Sequence, residues 1–73
     1  MNTADINKVK WTVACIGEFA RHKSVDVLAA FRYLYEFGGI MFLKEHYEAE
    51  HTLSFDETVE DLELICAKNG GRL

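Results

Sequence analysis

The sequence contains no proline. Proline ends or kinks helices, so its absence leaves helix boundaries to capping residues and glycine. Cysteine is nearly absent too: only Cys15 and Cys66, each inside an apolar segment. A disulfide scaffold needs more, and a reducing compartment is the expected setting. No apolar stretch nears the ~18 residues that mark a bilayer-spanning helix, so no membrane partner is expected. From Met1 to Lys10 the chain is polar, without the apolar core of a secretory leader, and a cytoplasmic location is expected. Lysine and arginine are few and scattered, 8 against 12 acidic residues for a net charge of -4. That balance repels a phosphate backbone and disfavours nucleic acid as a partner. No phosphate loop exists, since Gly38-Gly39 and Gly70-Gly71 lack both the spacing and the lysine.

What the chain does have is apolar content. At 73 residues, 49% hydrophobic and 12% aromatic, it is rich enough to fold and too apolar for disorder. The expectation is one all-α domain over residues 1–73, a bundle of four short helices. The first helix is expected over Asp5–His22. Ile6, Val9, Val13, Ile16 and Ala20 make one stripe, and Trp11, Cys15 and Phe19 a second, which suggests a central helix. Gly17 in its interior is costly unless another helix approaches there. Ser24 reads as the N-cap of a second helix over Val25–Phe37, with Val27, Phe31 and Leu34 inward and Gly38 ending it. Gly39 leaves room for a tight reversal. A third, shorter helix is expected over Ile40–Glu50, with Ile40, Leu43 and Tyr47 on one side. Ser54 and Glu57 spell a capping box that opens a fourth helix, with Phe55, Val59, Leu62 and Cys66 in register and Gly70-Gly71 at its end.

Catalytic chemistry finds little support in these residues. Both cysteines lie on apolar stripes without a cationic neighbour, a setting that keeps a thiol inert. The acids of the fourth helix read as the wet face of an amphipathic helix. His46, Glu50 and His51 offer metal-ligand atoms, but a five-residue step rotates a helix by about 140°, which points the histidines apart. Glu50 stands where a zinc helix wants its second histidine, and such a pair is usually a solvated contact. No catalytic residue, metal or cofactor is therefore expected, with a small metal-binding hydrolase as one competing reading. The other is a helix-turn-helix regulator turning at Gly38-Gly39. Its reading helix would present Met41, Lys44, Glu45 and Glu48, and two acids there read base edges poorly.

The densest cluster of distinctive side chains is Phe42, His46, Tyr47, Glu48, His51 and Thr52. A histidine ring and a threonine hydroxyl at helix ends satisfy orphan backbone groups, so the cluster serves either to pin a turn or to recognise a partner. Aromatic residues exceed what so small an interior holds, and exposed aromatics mark protein or self-association surfaces. A non-enzymatic protein-interaction module without a small-molecule substrate is the expected function.

Phe31, Tyr33-Leu34, Gly38-Gly39, Phe42-Leu43, His46-Tyr47-Glu48, His51-Thr52, Ser54-Phe55, Asp61-Leu62 and the ending Gly70-Gly71-Arg72-Leu73 carry a further signal. In these the chain resembles a family of small bacterial proteins, domain of unknown function 3791, from about Lys8 onward. The resemblance implies no assigned activity. It does imply a genetic neighbourhood with ADP-ribosyltransferase-like proteins, and hence an antitoxin-like or regulatory partnership. The turn Lys23-Ser24-Val25-Asp26 is shorter than in some relatives, which leaves that loop's geometry open.

Overall fold

The computed structural model describes residues 2–73. Five helices follow one another: α1 (Thr3–Lys23), α2 (Val27–Glu36), α3 (Gly39–Glu45), α4 (Tyr47–Glu50) and α5 (Phe55–Lys68). No strand occurs among the described residues, so the fold is all-α. α1 sets the long axis of a molecule measuring 35 × 22 × 21 Å. It packs against α2, α3 and α5, and α3 also joins α2 to α5.

Asn2 begins α1 by accepting from the Asp5 amide at 2.9 Å. The end of α1 corrects the expected role of Ser24. This residue is left-handed, at φ 56°, and closes α1 while the Val25 amide bonds back to the Ala20 carbonyl. Asp26 caps α2 instead, accepting from the Ala29 amide at 2.7 Å. A helix that runs on to Lys23 needs a left-handed residue to reverse, and with no glycine there Ser24 takes the position.

Gly38 sits at φ 83°, the expected left-handed end of α2. The expected helix over Ile40–Glu50 is divided at His46, which ends α3 and begins α4. The bend carries the chain to the flank of α1, where Tyr47 meets Trp11 edge-on at 5.3 Å. The Ser54–Glu57 capping box is present in both directions and opens α5. Asn69 ends that helix, and its side-chain amide donates to the Phe37 carbonyl at 2.9 Å, tying the end of α5 to the α2–α3 turn.

The core is Cys15, Ile16, Phe19, Ala20, Ala30, Leu34, Leu43, Val59, Leu62 and Cys66. Phe19 stacks on Tyr33 at 5.8 Å, and the Tyr33 hydroxyl accepts from the Leu73 amide at 3.2 Å. Only the second half of α1 is therefore central. Ile6, Val9 and Val13, expected on its inner stripe, are exposed, as are Val27 and Phe31 of α2 and Phe55 at the start of α5. The expected close approach at Gly17 does not occur: a Cβ there would meet nothing within 4 Å.

Candidate functional site

Three surface features concentrate chemistry. The first is the cluster around Tyr47. The bend at His46 turns the Tyr47 ring onto α1, with Trp11 at its edge, Lys8 Nζ 5.7 Å from its centroid and His51 stacked at 4.5 Å. His51 Nδ1 lies 2.7 Å from the Tyr47 carbonyl, and the Thr52 hydroxyl donates to the Ala49 carbonyl at 2.7 Å. Both side chains thus reach carbonyls at the end of α4 that also accept backbone amides, from His51 and Thr52. Phe42 and His46 form a separate pair with centroids 4.9 Å apart. Glu48 is exposed and joins neither group. The six candidate residues thus divide into two aromatic pairs, a capping threonine and a free carboxylate. Trp11 and Lys8 belong with Tyr47 although a linear reading separates them by more than thirty positions.

The second feature is an apolar groove of about 480 Å³ lined by Val9, Thr12, Val13 and Ile16 of α1, Phe31 of α2 and Ile40 of α3. Asp5, Lys8 and Lys44 complete its lining. Val13 is 61% exposed and Val9 51%, so an apolar stripe of α1 runs into solvent. Tyr35 and Met41 add exposed apolar surface on α2 and α3.

The third is a shallow, open pocket of about 300 Å³ between Phe42, Glu50, Asp61, Leu64 and Ile65. Glu50 was expected to be a solvated helix contact, and it is buried, 7% exposed. The bend at His46 is the physical reason, since it brings Glu50 up to α5, where the Thr58 hydroxyl donates to its backbone carbonyl at 3.4 Å. Oε1 of Glu50 has no hydrogen-bond partner. Burial, then the neighbouring Asp61 carboxyl, push its pKa up to about 7. Asp61, expected on the wet face of α5, is half-buried against it.

Both cysteines are buried free thiols. Burial pushes the Cys15 thiol up to about 12, with Glu50 and Glu18 adding to it, and burial also raises Cys66. Among the described residues no group of three or more histidine, cysteine or carboxylate side chains is arranged to hold a metal ion. Glu50, one of the expected ligand candidates, turns inward, while His46 and His51 stay exposed. No helix among the described residues is long and apolar enough to cross a membrane.

No curated protein and no solved structure matches the chain. A family model does, over residues 10–69, and it carries the description "Protein of unknown function (DUF3791)". Those residues include the whole core, the Tyr47 cluster apart from Lys8, and the Glu50 pocket, and stop just before Gly70. The chain belongs to the DUF3791 family.

Proposed function

We propose that this chain is a non-catalytic protein-interaction module whose apolar groove receives a helix of a partner protein. The observation that carries the reading is the uncovered stripe of α1. Val9 and Val13 continue the line of Ile16 beyond the bundle, and Phe31 and Ile40 wall the groove they enter. A helix that is apolar at three- and four-residue steps fits a groove of that form. Lys8 on α1 and Lys44 on α3 also line it, beside one acid, Asp5, in a chain whose net charge is -4. A partner helix flanked by acids is favoured by that local excess of positive charge, which acts mainly on encounter rate and orientation.

Inert, buried thiols and the lack of a nucleophile–base pair support a role without catalysis. The family resemblance supplies the partner class, an ADP-ribosyltransferase-like protein encoded nearby, toward which the module acts as an antitoxin-like or regulatory subunit. Co-expression with the adjacent gene product, followed by affinity purification, tests this directly. The wild-type chain is expected to co-purify in a stoichiometric complex. Val13→Asp, at a position exposed in the free molecule, is expected to lose the complex while leaving the melting temperature within a few degrees. A symmetric homodimer that ignores the neighbouring product overturns the reading.

A further inference from the structure

The Glu50 pocket lies on a different face from the groove and has its own chemistry. Its walls are Phe42 of α3 and Leu64 and Ile65 of α5, and its polar groups are the carboxyls of Glu50 and Asp61. Oε1 of Glu50 is buried without a partner. A buried acceptor left unsatisfied costs about 1–3 kcal/mol, more where it is charged. Three acids of α5 have partners: Asp56 pairs with His22 at 3.1 Å, Glu63 with Lys23 at 3.0 Å, and Glu57 serves the capping box. Glu50 and Asp61 have no ion pair among the described residues.

We propose that this pocket recognises the guanidinium of an arginine side chain presented by a partner protein. Two adjacent carboxyls offer the acceptors that a planar, forked donor matches, and the Phe42 ring offers a face on which it stacks. Guanidinium is weakly hydrated and tolerates apolar walls such as Leu64 and Ile65. A compact ammonium is strongly hydrated and gives up more on entering. Calcium takes about six to eight oxygen ligands, of which two carboxyls supply only a part. The pocket does not depend on the groove, so each stands or falls alone.

Binding requires Glu50 to be ionised. The groups that face it are Asp61 and Glu57 of α5 and the Cys15 thiol of α1, and none is cationic. With its pKa near 7 in the free protein, arginine binding releases a proton, and affinity falls about tenfold from pH 8 to pH 6.

The test is a titration of the 15N-labelled protein with acetyl-arginine amide, using acetyl-lysine amide as the control. Arginine amide is expected to shift the amide signals of Phe42, Asp61, Leu64 and Ile65, and to bind several-fold tighter than lysine amide. Glu50→Gln is expected to weaken it about tenfold and to flatten the pH dependence. Asp61→Asn, at a half-buried site, provides a second variant whose fold is checked by the same spectrum. Val13→Asp is expected to leave the titration unchanged. Equal binding of the two amides, or equal binding by wild type and both carboxyl variants, overturns the pocket. Sedimentation separates the sources of the arginine. A monomer at titration concentration keeps the assignment to another protein, and a dimer dissolved by Glu50→Gln overturns it in favour of this chain's own arginines.

Discussion

Gly17 and Gly39 are both helical glycines, and they have opposite physical reasons. A Cβ on Gly17 would meet nothing within 4 Å, so α1 bears an entropic cost there without any packing return in the free molecule. Gly17→Ala is expected to raise stability by about 1 kcal/mol, or several degrees of melting temperature in a domain this small. A Cβ on Gly39 would lie 2.8 Å from Leu34 Cδ2 and 3.3 Å from Cys66 Sγ. Gly39→Ala is therefore expected to cost about 1–3 kcal/mol through overpacking where α2, α3 and α5 meet. Thermal unfolding followed by circular dichroism separates the two, and equal effects would contradict the packing described. From the sequence, the interior glycine suggested a close approach and the paired glycines a reversal. Which glycine is crowded depends on residues far apart in the chain, Leu34 and Cys66, and no local pattern records that meeting.

Along an element, periodicity and caps are legible, and the extent of cover is not. α1, the end of α2 at Gly38 and the capping box of α5 all follow from spacing and residue type. The exposed stripe of α1 does not, because α1 has 21 residues and α2 only 10. At 1.5 Å per residue the longer helix outruns its neighbour by about 16 Å. Ser24 and Asp26 show the same limit on a smaller scale. Both are good N-caps, and only the point where α1 stops decides between them. In the structure Ser24 is left-handed and Asp26 holds the Ala29 amide. Ser24→Gly is thus expected to stabilise by about 0.5–1 kcal/mol, because glycine enters that conformation without a Cβ penalty. Asp26→Ala is expected to cost about 1 kcal/mol through loss of the cap. Chemical denaturation measures both, and a destabilised Ser24→Gly would restore serine as a cap of α2.

At the scale of the whole molecule, the buried carboxyl couples stability to pH. Glu50 was visible in the sequence as a metal-ligand candidate, but its burial arises from the packing of α4 against α5, with Thr58 donating to its backbone carbonyl at 3.4 Å. Its carboxyl is raised from 4.5 to about 7, by burial first and by Asp61 second. Between those values the folded chain keeps a proton that the unfolded chain has lost. Folding therefore binds a proton in this window, and Glu50's contribution falls as pH rises from about 4.5 through 7. At roughly 1.4 kcal/mol per unit, the full excursion is on the order of 3 kcal/mol, a large share of what a small domain has. Melting temperatures measured from pH 5 to pH 8 are expected to fall across this range for the wild-type chain. Glu50→Gln is expected to flatten the curve and to be the more stable protein at pH 8. A wild-type stability that stays flat across the window would mean that the carboxyl is ionised and partnered in the folded state. An arginine in the Glu50 pocket flattens the slope by the same linkage, because it holds the ionised form that the unfolded chain also has in this window. The pH profile with and without acetyl-arginine amide therefore reads the fold and the pocket in one measurement.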